Sequence, residues 1–249
     1  QETNVTEGVE ELNEVLQVSN GYLNHELADK GLGRNDDKEE HLVQFQGRGA
    51  VKKMQEAREQ IAVAGRIVDQ ARYLGNMFTG DGSTRSNVNK RIAAAKAGFQ
   101  ALYGIWGKRG IDEDLTRELF CSMVQGALLS GMEAEVPSER DITRMESAQC
   151  MLARRAMGSK GSYENSRGRR QLSNEQVLER TRMHTVDSTL RARRLKWWTN
   201  IMADTGEIKQ LLAALFGTME REVRDGRVLG PTPWVMQLAN DLEEYGTIT

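Results

Sequence analysis

The sequence predicts a mainly α protein, a helical bundle with a small β-hairpin in its N-terminal third. From residue 86 to the C-terminus, apolar residues recur at spacings of three and four, the period of an amphipathic helix. Before that point only residues 41–46 and 71–78 are β-capable. Two short strands make a hairpin or ribbon that is marginal alone, so helices must supply most of the core.

The composition is that of a soluble globular protein without disulfides. The chain has 249 residues, 39% hydrophobic and 28% charged, which allows one or two domains. It has no run of about 18 apolar residues, so we expect no membrane span. Two cysteines and no secretory signal predict an intracellular protein, nuclear or cytoplasmic. The chain does not begin with Met, and we expect it to be a piece of a longer protein.

Local signals place the elements in order. Residues 5–30 predict a helix that Gly31 ends, and residues 50–63 predict a basic, exposed helix. Later helices are expected to begin at N-terminal capping residues, and Gln176 is expected to form a capping box with Ser173. These caps are Ser86, Asp112, Ser138 and Ser173. The residues expected to face inward are Leu115, Leu119 and Met123, then Ile142, Met145, Gln149, Leu152 and Ala156, then Val186, Leu190, Trp197 and Ile201.

Composition also suggests where the chain divides. Residues 158–171 are polar, basic and rich in glycine and serine, which favours a flexible linker. We therefore expect four regions: 1–80 with the first helix and the hairpin, 81–157 as a helical domain, the linker 158–171, and a C-terminal helical region 172–249.

The charges are segregated along the chain although the net charge is only −2. Residues 48–110 hold twelve bases and four acids, and residues 144–198 hold thirteen bases and five acids. The intervening blocks are acidic. Such clustering can mark a polyanion partner. The alternative is that neighbouring blocks pair with each other within the fold.

Familiar catalytic motifs are missing from the sequence. It contains no GxxxxGK[ST], GxSxG, HExxH or paired CxxC pattern. Asp36-Asp37 is the only adjacent aspartate pair, and its charged surroundings favour solvated surface over a metal site. Cys121 and Cys150 are expected to be buried thiols on helices. We expect no cofactor in this chain.

Five stretches resemble, in the same order, motifs of one family. They are Gly31 to Glu39 ("GLxxNxxK"), Tyr73-Leu74-Gly75 ("YLG"), Asp81-Gly82-Ser83 with the helix that follows, Leu128 to Glu133 ("LLYGxE"), and Leu172 to Leu178 with Arg193 to Trp198 ("SNEEVL…RRLRW"). Together they resemble the C-terminal half of a non-LTR (LINE-type) retroelement reverse transcriptase: the end of the palm, the primer grip, the thumb and the following helical region.

This resemblance implies a thumb-like helical domain and a catalytically silent chain. The family holds Mg²⁺ with one early palm aspartate and an "ADD" turn. Both would precede this chain, and no "ADD" occurs in it, so we assign no catalytic residue and no metal ligand. Lys38 matches the palm lysine near the departing pyrophosphate. Tyr73, Leu74 and Gly75 match the hairpin that holds the primer terminus.

The resemblance and the charge pattern together predict three basic sites for RNA or RNA–DNA duplex, each contacting phosphates. They are Lys90, Arg91 and Lys96 on the thumb-like helix, Arg167, Arg169 and Arg170 in the loop, and Arg191, Arg193, Arg194 and Lys196 on a late helix. Trp197 and Trp198 beside the last group fit the core better than base stacking. Arg193 and Arg194 have an alternative, pairing with acids of the tail.

Two functions follow. The first is a fragment or remnant of an RNA-directed DNA polymerase that binds RNA or RNA–DNA duplex. The second is a non-enzymatic helical interaction or scaffold protein derived from a retroelement, whose apolar stripes contact other protein helices.

Overall fold

The computed structural model describes residues 8–45, 48–61, 63–73, 76–80, 82–106, 108, 111–165, 168–203, 223–224, 227–228 and 234–248. The prediction of a mainly α fold with a small β-hairpin is confirmed. The chain separates into two compact units, Gln1–Ser83 and Thr84–Thr249. None of the described helices is long and apolar enough to cross a membrane.

The described residues of the first unit form two helices and two small sheets. In chain order it has α1 (Val9–Asp29), a 3-10 turn (Asp36–Lys38), β1 (Glu40–Leu42), α2 (Ala50–Gln60), β2 (Arg66–Val68), β3 (Gln70–Tyr73) and β4 (Asn76–Thr79). Helix α1 ends as predicted. Gly31 has a φ of +68°, and its N–H and that of Leu32 bond the carbonyls of Ala28 and Leu27. Glycine adopts this left-handed conformation without a steric penalty.

The strands pair differently from the expected hairpin between residues 41–46 and 71–78. β1 pairs in parallel with β2, and α2 is the crossover that a parallel pair requires. The hairpin forms instead within the second segment, where β3 pairs antiparallel with β4 and Tyr73 lies opposite Asn76. The run 71–78 that we took for one strand therefore contains residues of two paired strands.

The described residues of the second unit form a helical bundle with two small hairpins. It contains α3 (Arg85–Ala101), α4 (Glu113–Phe120), a π-helical turn (Cys121–Gln125), α5 (Gly126–Leu129), α6 (Glu139–Ala156), β5 (Ser162–Asn165), β6 (Gly168–Gln171), α7 (Asn174–Thr181), α8 (Val186–Ala203), β7 (Val223–Arg224), β8 (Arg227–Val228) and α9 (Trp234–Ile248). Short 3-10 turns occupy Met132–Ala134 and Gly158–Gly161.

A single apolar cluster joins α3 to α8. Its buried members include Val88, Phe99, Phe120, Val124, Leu128, Met145, Leu152, Val177, Val186 and Leu190. Residues on both sides of 158–171 share this core. Residues 172–203 therefore share the core of the second unit with the helices before them.

For the helix after Asp112, we predicted the buried apolar stripe one residue too early in the sequence. Leu115 and Met123 are 48% and 42% exposed, whereas Phe120, Val124 and Leu128 are buried. The larger Phe120 faces the core, and the next two turns keep its spacing of four. The stripe of α6 faces inward as predicted, since Met145, Gln149, Leu152 and Ala156 are buried and Ile142 is half-buried against the core.

The polar caps behave as their spacing predicts. Ser173 Oγ accepts a hydrogen bond from the Gln176 N–H at 3.2 Å, and Gln176 Oε1 accepts from the Ser173 N–H at 2.9 Å. This is the complete capping box. Ser138 accepts from the Asp141 N–H in the same way.

Residues 158–165 and 168–171, within the segment that we expected to be a flexible linker, have regular structure. After the 3-10 turn, β5 and β6 form a hairpin, with Tyr163 opposite Arg170. The Leu172 N–H bonds the Gly161 carbonyl at the base of the hairpin. A Cβ on Gly161 would lie 2.4 Å from the Arg154 carbonyl oxygen, so only glycine permits this close approach to α6.

Candidate nucleic-acid interface

The arginines of α8 form hydrogen bonds and ion pairs with other groups of the protein. We call Arg191, Arg193 and Arg194 the α8 arginine cluster. Arg194 Nε and Nη2 donate to the two carboxylate oxygens of Asp241 on α9, at 2.6 and 3.2 Å. The two side chains are 3% and 1% exposed. Arg194 was predicted to contact phosphates or, as the alternative, to pair with acids of the tail, and its guanidinium makes the second kind of contact.

Arg191 is surrounded by acids. Its guanidinium lies 2.9 Å from Asp187 and 3.5 Å from Asp241, and it also bonds Glu244. Its side chain is 24% exposed. A phosphate would have to compete with three carboxylates for this arginine.

Arg193 ties α8 to the segment after α5. Its Nη1 donates to the Leu129 carbonyl at 3.1 Å and lies 3.9 Å from the Glu133 carboxylate. Lys196, the last predicted base of this helix, is exposed and has no ion pair with a described acid. The α8 arginine cluster therefore serves packing, whereas Lys196 remains accessible.

The tryptophans belong to the same contact. Trp197 meets Trp234 of α9 edge to face, with ring centroids 5.0 Å apart and planes at 80°. Trp234 Nε1 donates to the Glu133 carbonyl at 2.8 Å. Aromatic pairs of this geometry add to the apolar burial. Trp197 thus helps to hold α9 against α8, although it is 37% exposed.

The thumb-like helix α3 offers one clearly exposed base. Lys90 and Arg91 are half-buried, and both make interactions within the protein. Arg91 lies near Glu135, a carboxyl whose pKa is raised by burial, while the Asn87 hydrogen bond and the Arg91 charge oppose that rise. Lys96 is exposed and has no described acid partner.

The remaining predicted residues lie apart from these helices. Arg170 is exposed on β6, and the main chain of Arg169 pairs with Glu164. Lys38 is exposed at the end of its 3-10 turn, and the main chain of Tyr73 forms the end of β3. Arg167, Leu74 and Gly75, with the side chains of Arg169 and Tyr73, lie outside the described residues.

A cleft of about 760 Å³ lies between the start of α4 and the C-terminal ends of α6 and α7. We did not predict it from the sequence. Its apolar wall includes Ile111, Met157 and Met183, and its rim carries bases and acids. Arg180 and Arg182, which we call the cleft arginines, are both exposed and line it.

The charges of the cleft are only partly matched. Lys160 bonds Glu113, and Arg117 lies 3.3 Å from Asp114. The Lys160 hydrogen bond and charge lower the pKa of Glu113, and the charge of Arg180 lowers it further. Arg182 has no ion pair with a described acid.

Two further bases on neighbouring elements resemble Arg182. Arg155 and Arg170 are exposed and likewise lack an ion pair with any described acid. We call Arg155, Arg170 and Arg182 the free bases. Arg155 and Arg182 stand at helix C-termini, where the helix dipole favours cations, and this placement was the one signal in the sequence that could have identified them.

The cysteines and acids give no sign of a metal centre in the described part of the chain. No three His, Cys, Asp or Glu side chains there come together as a metal site. Cys121 and Cys150 are free thiols, and burial raises the pKa of Cys150 to about 11, which keeps it protonated and unreactive.

No family model, curated protein or solved structure matches this chain.

Proposed function

We propose that this chain binds RNA or RNA–DNA duplex, and that it derives from the primer-grip and thumb portion of a LINE-type reverse transcriptase. The observation that carries the binding proposal is the set of free bases around the ends of α6 and α7. They are exposed and have no ion pair with an acid of the described residues, so a polyanion can reach them and release its counterions. The five motifs in order support the origin.

The surface that we propose differs from the one with the longest run of bases. The α8 arginine cluster is already neutralised by acids of α8, α9 and the segment after α5. Phosphate contacts there would first have to break these pairs. We therefore assign binding to the free bases and the cleft arginines, with Lys96 and Lys196 as further exposed bases.

Equilibrium RNA binding tests this proposal. A fluorescently labelled structured RNA is titrated with the full 249-residue chain at several salt concentrations. If about four phosphates are neutralised, the logarithm of affinity falls against that of salt with a slope of roughly −3 to −4. Affinity no greater at about 50 mM than at about 300 mM salt, or no binding, would contradict the proposal.

We also propose that the chain alone does not polymerise DNA. The described residues do not fit a two-metal centre, since no group of three potential ligands occurs among them, and the sequence has no "ADD" turn. A primer-extension assay with Mg²⁺ or Mn²⁺ should give no product above a buffer control. Extension by purified chain would refute this part of the proposal.

One observation favours the alternative, a helical interaction protein. Leu115 on α4 and Met123 in the π-helical turn that follows are both exposed apolar side chains. A second copy of the chain is the partner that can be tested directly. Self-association in sedimentation experiments that Leu115→Glu abolishes, together with absent RNA binding, would favour this function over the first.

A further inference from the structure

We infer that the cleft between α4, α6 and α7 seats one unpaired nucleotide of a bound strand, with its phosphate on the cleft arginines. This inference rests on the proposed RNA binding and names the form of nucleic acid that the surface selects. Exposed bases alone would bind the phosphate backbone of a paired or an unpaired strand equally, whereas the cleft distinguishes the two.

The size of the cleft fits a nucleotide. At about 760 Å³ it lies within the range of about 300–1,000 Å³ that is usual for small-molecule sites. Ile111 and Met157 are half-buried, so part of each side chain is available to a ligand. An unstacked nucleobase packs against such apolar groups and against guanidinium planes.

The cleft arginines supply the phosphate contact. Arg180 and Arg182 extend from the last turn of α7 and its cap, and Arg182 holds a φ of +53° as the helix ends. A guanidinium can donate two parallel hydrogen bonds to one phosphate. Lys160 and Arg117 are paired with Glu113 and Asp114, whereas Arg182 has no ion pair with a described acid and can bind a ligand.

The acids at the start of α4 argue for a nucleotide over a bare polyphosphate. The carboxylate of Asp112 is exposed and makes no capping hydrogen bond, so it can accept one from a ligand. A ribose hydroxyl or a base amino group is such a donor, whereas a phosphate is an acceptor and would be repelled. A nucleotide carries both an anionic phosphate and hydrogen-bond donors, so it matches a rim that has both basic and acidic groups.

A paired base cannot use this seat. In a duplex the bases are stacked and bonded to each other, and only unpaired nucleotides can turn outward into a protein cleft. We therefore expect the chain to prefer single-stranded RNA, or a duplex with unpaired nucleotides, over a fully paired duplex of the same length.

The test measures binding of adenosine 5′-monophosphate to the full chain by calorimetry, with inorganic phosphate as a second probe. The double variant Arg180→Gln with Arg182→Asn should weaken nucleotide binding by about tenfold or more, since it removes two charge-assisted contacts. Asn tolerates the left-handed conformation at 182, which protects the fold. Arg140→Gln removes one positive charge at the exposed other end of α6, away from the cleft, and should bind as wild type does.

RNA binding measured on the same samples distinguishes failure of the nucleotide site from failure of the proposed RNA binding. If RNA binds but the nucleotide does not, or inorganic phosphate binds equally well, the nucleotide seat is refuted and the proposed function stands. If neither RNA nor nucleotide binds, both are refuted. Nucleotide binding that the double variant abolishes and Arg140→Gln leaves intact supports the inference.

Discussion

The α8 arginine cluster and the free bases belong to the same basic block of sequence, yet their surroundings are opposite. Arg194 is 2% exposed and held by both oxygens of Asp241, whereas Arg155, Arg170 and Arg182 are exposed and have no described acid partner. The local density of bases is higher in the α8 cluster. A run of bases in the sequence therefore does not indicate which of them a nucleic acid can reach.

The difference follows from what each helix packs against. Helix α8 lies between the apolar core and α9, and its residues 190, 194 and 201 are all buried, so a base at 194 needs an acid on the opposing helix. The ends of α6 and α7 open onto the cleft, where water satisfies a charge. Removing one partner of a buried pair is costly, whereas exposed pairs contribute little.

The largest expected effect is on stability, from Arg194→Ala. The substitution leaves the Asp241 carboxylate buried without its main partner, and we expect a loss of about 3–5 kcal/mol in the free energy of unfolding. Urea denaturation measures it. Lys196→Ala on the same helix is the control and should change stability by less than about 0.5 kcal/mol. Equal effects of the two substitutions would remove the distinction between paired and accessible bases.

A smaller effect should come from the cap of α7, the helix that carries the cleft arginines. Ser173→Ala removes one half of the capping box and should cost about 1 kcal/mol. Thr84→Ala at the start of α3 is a matched control, because Thr84 makes no side-chain capping bond. Thermal denaturation compares the two. A larger loss from Thr84→Ala would show that the capping geometry does not set the stability of α7.

The smallest effect concerns acid pH and the exposed Lys160–Glu113 pair. Since Lys160 lowers the folded-state pKa of Glu113 below its ordinary 4.5, the pair stabilises the fold above that pH and the contribution is lost as pH falls through the folded value. Lys160→Gln should bring the Glu113 pKa back toward 4.5, as followed by NMR titration. An unchanged pKa would mean that Lys160 is free to bind phosphate.

Local features of this fold are predictable from the sequence and long-range ones are not. The end of α1 at Gly31 and the box of Ser173 with Gln176 depend on residues within one turn, and both form as expected. Arg194 continues the spacing of Val186 and Leu190, and its charge allowed two roles, phosphate contact or pairing with an acid of the tail. Its acid lies 47 residues further along the chain, so no local pattern connects them.

The hairpin and the cleft show two other limits. The strands β5 and β6 are polar and do not show the alternation of apolar residues by which a strand is recognised in a sequence. Main-chain hydrogen bonds and the close approach of Gly161 to α6 hold them instead. The cleft is lined by residues from 108 to 183, which only packing brings together. Two signals of the cleft were present in the sequence, the helical period of α6 and α7 and a base at the C-terminal end of each helix.

The most direct test of the account compares the salt dependence of RNA binding for two variants. Replacing the free bases together, by Arg155→Gln, Arg170→Gln and Arg182→Asn, should flatten the slope of log affinity against log salt by about two to three units. Arg191→Gln in the α8 arginine cluster should leave the slope as in wild type, because carboxylates already neutralise that side chain. A slope that flattens in Arg191→Gln and not in the triple variant would contradict the account.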